Sequence, residues 1–313
     1  MSQNLNFAGK LNILRQKGID RKHQTKLLRF VWSFFRALLF IGIGFVLLYP
    51  ILYMVSIAFR PTAEITDPGI IWIPKTFTLE NFPTVAKVMQ FPGSLYNTLY
   101  VSIVSAVLQL VSCSMAGYGL ARFKFKENKL LFGIVIFSII VPMQTITIPT
   151  FLQFKDLGIL NTEWVFFLPS MLGMGLKSGL YVFVFRQAFK GLPGELEQAA
   201  LIDGCGPYQT FLRVIIPNSG GVYLTIFLFS FVWHWNDYYY SFSYMATKRT
   251  MATALATLRT SLQSAGVEVY DPFELVTRLQ VGCLLMIVPL LLIYIVLQRY
   301  FVQGVERSGI TGT

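Results

Sequence analysis

The apolar residues of this chain are bunched into blocks of about 20 or more, a length that fits a bilayer and not a water-soluble core. At a rise of about 1.5 Å per residue, such a block crosses the ~30 Å hydrocarbon slab as a helix. Six blocks stand out, at Phe30–Phe59, Ser94–Leu120, Leu130–Phe154, Trp164–Phe189, Gly220–Tyr240 and Phe273–Phe301. The expectation is an all-α polytopic membrane protein with six transmembrane helices. Composition agrees: 54% of residues are hydrophobic and only 13% are charged, where an ordinary soluble domain carries about a quarter charged.

The net charge of +11 raises nucleic acid as a partner, but its placement argues for a membrane. Lys10, Arg15, Lys17, Arg21, Lys22, Lys26 and Arg29 precede the first block, and Arg122, Lys124, Lys126 and Lys129 crowd the loop after the second. Basic clusters flanking apolar spans mark cytoplasmic loops, so no nucleic-acid partner is expected. Alternation then puts the loop Lys190–Ser219 and both termini in the cytoplasm. That loop is placed by parity alone, because Lys190 and Arg213 face Glu195, Glu197 and Asp203. The implied organisation is a basic tail (1–29), a first helix with an outer loop (30–93), a core (94–302) that contains the loop 190–219, and a C-terminal tail (303–313). Leu11, Ile13, Leu14 and Ile19 among the tail's charges suit an interfacial helix on anionic lipid, or equally a solvated tail. The first block starts too late and runs too long for a cleaved signal peptide. Cys113, Cys205 and Cys283 show no metal or disulfide spacing.

The loop Lys190–Ser219 is the most informative stretch. Pro193-Gly194 breaks the fourth span, and Glu195 and Glu197 suit the start of a short helix. Asp203-Gly204 ends that helix, Pro207 opens a second, and Pro217 closes it. Two short helices at a fixed angle are more than a tether needs. The order Gln198-Ala199-Ala200, three residues, Gly204, nine residues, Val214-Ile215-Ile216-Pro217 resembles the E-A-A-x3-G-x9-I-x-L-P loop of the permease subunits of binding-protein-dependent ABC importers. Leu192-Pro193-Gly194-Glu195-Leu196-Glu197, Trp235-Asn236-Asp237, Pro289 and Gln298-Arg299-Tyr300-Phe301-Val302-Gln303-Gly304 are similar to the carbohydrate branch of that family, of maltose-permease type. The resemblance covers about Phe30 to the end.

The resemblance implies an ABC type-1 permease fold in the bacterial inner membrane. It also implies a second, different permease, two copies of an ABC ATPase that hold ATP and Mg, an extracytoplasmic solute-binding protein and a saccharide substrate. Within the loop it gives Glu197, Gln198, Ala199, Ala200, Asp203, Gly204 and Pro217 to ATPase coupling. Gln198 stands where the family has Glu, with Glu197 one position earlier. A peptide or amino-acid permease of the same superfamily is the alternative substrate class. An ATP-independent secondary transporter is the rival mechanism, but no convincing internal repeat supports it.

No cofactor and no ATPase are expected in this chain. Gly173-Met174-Gly175-Leu176-Lys177-Ser178 lacks the G-x-x-x-x-G-K-[ST] spacing that cradles phosphate, and the histidines are His23 and His234, so no catalytic set forms. Lys177 lies nine residues before Arg186, about 14 Å deep. At that depth an ionisable group points to function. It either faces a cavity or is satisfied by free carbonyls of a helix broken near Gly173, Gly175 and Gly179. Trp233, Trp235, Asn236, Asp237 and Tyr238 combine aromatic faces with amide and carboxylate groups, the set that binds sugars. They join Lys177 as candidates for the substrate pathway, with an interfacial aromatic belt as the other reading of Tyr239 and Tyr240.

Overall fold

In the computed structural model the backbone is described for residues 4–61, 64, 67, 73–267 and 272–309, and side chains for those between 28 and 296 and for 298. All regular structure among these residues is helical. Helix α1 (Asn4–Ala58) runs unbroken through Pro50. The tail side chains, on which an interfacial helix or a solvated tail was expected, lie outside the described residues. So do the side chains of the C-terminal tail. From Phe30 to Tyr53 helix α1 presents a largely apolar surface, and Met54, Ser56, Ile57 and Ala58 near its end are buried.

Short α2 (Asn81–Val88) leads into α3 (Phe91–Arg122), the hub of the fold. Pro92 sits in the first turn of α3, where its missing N–H costs nothing. The sequence of α3 explains its central place. Ser94, Thr98, Ser102, Ser105, Gln109, Cys113 and Gly117 recur every three or four residues and are all buried. The opposite file, Tyr96, Tyr100, Ile103, Val107, Val111 and Met115, is exposed. Small polar residues inward and large apolar ones outward is the pattern of a helix packed against other helices in lipid.

Next come α4 (Asn128–Ile140), a 3-10 turn at Met143–Ile146 and α5 (Thr147–Asp156). These two halves are bent by 99°, so the third block is not the straight crossing expected over Leu130–Phe154. Pro142 causes the bend: it offers no N–H to continue the helix and drives Val141 to an extended conformation, φ −63°, ψ 121°. The fourth block is also broken, into α6 (Trp164–Met171) and α7 (Ser178–Gly191). Two short helices, α8 (Glu195–Ile202) and α9 (Pro207–Asn218, π-helical over Phe211–Ile215), form the expected loop. An 81° bend leads into α10 (Gly220–Trp235), which stops five residues short of the expected Tyr240. Then follow α11 (Tyr239–Tyr244), α12 (Met251–Ala256), α13 (Leu258–Ser264) and the long α14 (Pro272–Gly309). Among the described residues three helices are long and apolar enough to cross a bilayer unbroken: Leu28–Ala58, Phe91–Arg122 and Pro272–Val296. The bent pairs raise this to five, and the split fourth block lies outside that count.

At the basic end the last carbonyls of α3 are taken up by polar side chains from other elements. Asn128 Nδ2 donates to Leu120 O (3.2 Å) and Phe123 O (3.0 Å), and Arg186 Nε donates to Leu120 O at 3.2 Å. The Arg186 guanidinium also lies 3.6 Å from the centre of the Phe132 ring. Beneath, Phe185 and Phe189 of α7 pack with Tyr118, Phe211 and Ile215. A Cβ on Gly117 would stand 2.6 Å from Phe185 Cβ and 3.1 Å from the Arg186 backbone nitrogen, so the α3–α7 approach needs glycine there. Gly117→Val should destabilise the detergent-solubilised protein by about 1–3 kcal/mol, the cost of overpacking, read as a lower thermal midpoint. No such loss is expected for Gly119→Ala, whose Cβ meets nothing within 4 Å.

At the opposite end Lys248 Nζ reaches both Glu163 oxygens, at 2.7 and 2.8 Å, and ties the start of α6 to the segment before α12. Partial burial pushes the Glu163 carboxyl up, but hydrogen bonds from Lys248 and its charge pull harder and hold it below its ordinary 4.5. A lowered carboxyl stabilises the fold above its unfolded value and loses that contribution as pH falls through the folded one. The thermal midpoint of the wild type should therefore exceed that of Glu163→Gln at neutral pH. Thermal melts across acid pH should show this gap closing below pH 4.5.

Candidate functional site

The break between α6 and α7 places backbone without helical bonding against α3, with Leu172 and Met174 exposed and Leu176 and Ser178 buried. Gly173, at φ +69°, turns the chain out of α6, and Met174 N–H donates back to Pro169 O at 2.8 Å, the closing bond of a left-handed glycine cap. Lys177, at φ +60°, turns it into α7. Carbonyls freed in such a break must find donors within the protein. Gln109, wholly buried on α3, supplies them: its Nε2 donates to Leu176 O and to Ser178 Oγ, each at 2.8 Å. Ser112 Oγ donates to Ser170 O at 2.6 Å. On the other side Ser230 Oγ of α10 donates to Gln109 Oε1 at 2.5 Å, and His234 Nδ1 donates to Ser230 O at 2.8 Å. A Cβ at Gly175 would stand 2.7 Å from Gln109 Nε2, so glycine lets the loop close on the amide. The interaction spans three helices, and His234 serves it as an internal donor.

Beside the break lies a cavity of about 580 Å³. Lys177, Trp233, Asn236, Asp237, Tyr238 and Gln144 are among the residues that line it. Lys177 Nζ rests 4.6 Å from the centre of the Trp233 ring, over an aromatic face, not on the free carbonyls of the break. Asp237 faces the cavity but is engaged by the backbone. It accepts from Tyr240 N (3.2 Å), Ser241 N (2.8 Å) and Ser241 Oγ (3.0 Å), which caps the start of α11. Trp235 is fully buried against Ala106 and Phe231 and does not line the cavity, contrary to expectation. Two residues of helix rotate it about 200° from Trp233.

The loop at the basic end is closed by the same glycine device. Gly204 has φ +79°, with Cys205 N donating to Ala200 O (2.9 Å) and Gly204 N to Leu201 O (3.1 Å), a Schellman cap on α8. Ala200 is buried, whereas Gln198, Ala199, Asp203, Gly204 and Pro217 are exposed. Leu201 and Ile202 are exposed by 61% and 86%, and Tyr208 by 64%, an apolar tip that none of the described residues covers. The root of the loop is held by Arg122, whose Nη2 donates to Leu192 O at 2.8 Å and whose Nε lies 3.2 Å from Glu197 Oε1.

Residues 110–307 match a family described as binding-protein-dependent transport system inner membrane component. The chain belongs to that family. The permease protein AraQ of an arabinooligosaccharide transport system in Halalkalibacterium halodurans is 31% identical over 278 residues, 87% of this chain and 94% of its own length. The permease protein LacG of a lactose transport system in Rhizobium radiobacter is 29% identical over 265 residues, 85% and 92% of the two chains. The fold is similar to a chain from the crystal structure of a bacterial ABC transporter involved in import of the acidic polysaccharide alginate. That similarity has a TM-score of 0.68 over 87% of this chain and 96% of the other, at 21% identity. As a member of this family the permease is a multi-pass membrane subunit, and ATP hydrolysis belongs to a separate subunit.

Five of the six pathway candidates of the permease thus meet in one cavity, and of the loop candidates Gln198, Ala199, Asp203, Gly204 and Pro217 are exposed while Glu197 pairs with Arg122 and Ala200 is buried. Gln109 was missed in the sequence, although its place in the stripe Ser94, Thr98, Ser102, Ser105, Gln109 marks it. Replacing Gln109 by Leu leaves Leu176 O, Ser178 Oγ and Ser230 Oγ without their partner. At about 1–3 kcal/mol for each unsatisfied group, Gln109→Leu should lower the thermal midpoint of the purified permease far more than the outward-facing Val107→Leu.

Proposed function

We propose that this permease forms half of the translocation pathway of an ATP-driven importer for a sugar or oligosaccharide. A second permease subunit completes the pathway, two copies of an ABC ATPase carry ATP and Mg, and an extracytoplasmic binding protein delivers the substrate. The basic end and both termini lie in the cytoplasm, in keeping with Arg122, Lys124, Lys126 and Lys129. The observation that carries this reading is the loop: an exposed apolar tip on two capped helices, with its root tied to the hub helix by Arg122. Such a tip fits a cleft in the ATPase. Glu197 is occupied by Arg122, so the docking face carries the neutral Gln198 and the contact is chiefly apolar, through Leu201, Ile202 and Tyr208. Closure of the ATPases displaces α8, the Arg122–Glu197 pair passes that motion to α3, and the helices around the cavity rock between inward and outward openings.

The sugar class is supported by the cavity, where the rings of Trp233 and Tyr238 and the amide of Asn236 suit sugar faces and hydroxyls, and by the relatives. Purification of the tagged permease in mild detergent should recover a P-loop ATPase and a second multi-span permease. Reproducible isolation alone, with transport in liposomes without ATP, would overturn the proposal. Within the complex, Gly204→Val should uncouple ATP hydrolysis from uptake. No atom lies within 4 Å of a Cβ at Gly204, so inside the chain the substitution meets only the left-handed backbone, about 1–2 kcal/mol. Gly204→Asn, which tolerates that conformation, should retain more uptake. Uptake at the wild-type level in Gly204→Val would count against the docking role.

A further inference from the structure

Among the described residues Lys177 is a cation without an ion-pair partner. Ion pairs among the described residues use Asp67, Glu163, Glu197 and Glu274, and none of these meets Lys177. Its contact is the Trp233 ring, at 4.6 Å. The one carboxylate on the cavity wall, Asp237, is turned to the backbone of Tyr240 and Ser241 and to the Ser241 hydroxyl. Lys177 also occupies the N-cap of the 14-residue α7, where the helix contributes further positive potential. Both positive sources face a cavity at membrane depth, where an uncompensated charge is costly. An anion supplied from outside the chain resolves the imbalance. The remaining wall defines the rest of that ligand: Trp233 and Tyr238 offer ring faces, Gln144 offers an amide that donates to and accepts from hydroxyls, and Asn236, whose Nδ2 donates to Val232 O at 2.9 Å, offers its Oδ1 as an acceptor.

We propose that the transported substrate is an acidic saccharide, a uronic-acid oligomer, whose carboxylate is received by Lys177 while its sugar ring lies along Trp233 and Tyr238. This rests on the carbohydrate-importer reading and narrows it. It also gives this subunit, and not only its partner permease, direct contact with substrate. The ammonium moves from the ring face to the carboxylate when substrate enters and returns when it leaves, so the indole serves as a resting place.

The test uses the complete importer in proteoliposomes with its binding protein. Oligogalacturonates of two to four residues are compared with the same oligomers after reduction of their carboxyls to neutral hexoses. The wild type should take up the acidic oligomers and respond to them with increased ATP hydrolysis. Lys177→Gln should lower that uptake by about tenfold or more, as expected for loss of a charged hydrogen bond, and Lys177→Arg should restore most of it. Gln and Arg meet the same positive φ as Lys, so backbone strain is unchanged, and recovery of the intact complex on gel filtration checks assembly. Uptake of only the neutral oligomers by the wild type would overturn the proposal and leave the carbohydrate reading standing. Equal loss of both classes in Lys177→Gln would do the same, assigning Lys177 to structure. If no saccharide in a broad panel is taken up or stimulates hydrolysis, both readings fall together.

Discussion

One side-chain amide holds the centre of this permease together. Backbone that leaves the helix inside a bilayer has no water to fall back on, so each freed carbonyl must be met by a protein donor. Gln109 meets the break between α6 and α7 from α3 and is itself held from α10 by Ser230. The break in turn sets Lys177 at the head of α7 and shapes one wall of the cavity. Without the amide Leu176 O and Ser178 Oγ would lose their partner, and without the break the cavity would have no cation. Architecture and site are therefore the same problem solved once.

The sequence was legible where a single physical rule acts alone. Block length against bilayer thickness located the three unbroken crossings, in the first, second and sixth blocks, and cap residues located both short helices of the loop, with Gly204 in the expected turn. It was less legible where two rules compete. Pro142 and Gly173 lie inside apolar runs long enough to cross, and hydropathy does not register that the backbone turns there. Trp235 sits among residues that do line the cavity, but helical rotation sends it to the opposite side, into a core with Phe231. Gln109 was readable in principle, since the small polar stripe of α3 repeats every three or four residues; the apolar content of the same segment masked it.

Two of the left-handed glycines, Gly173 and Gly204, close helices at two levels, one beside the cavity and one at the basic end. Between them lies α7, packed along α3 through Gly117 and Phe185. Arg122 and Glu197 add an electrostatic tie between the end of α3 and α8, only partly exposed to solvent. The contacts leading from α8 toward the cavity thus run through one ion pair and the packed aromatics Tyr118, Phe185 and Phe189.

Helix α3 is inverted relative to a helix of a soluble protein, polar within and greasy without. Hydrophobicity is consequently a poor guide to what substitutions it will accept. Making its inner file more apolar removes hydrogen-bonding partners that have no substitute, while its outer file tolerates almost any change that lipid tolerates. By the same logic, rendering this protein soluble in water is a problem of its surface alone. Repainting that outer file with charged residues leaves most of the interior that defines the fold untouched, the exception being Tyr100, whose ring meets the buried Phe167 edge-on at 5.4 Å.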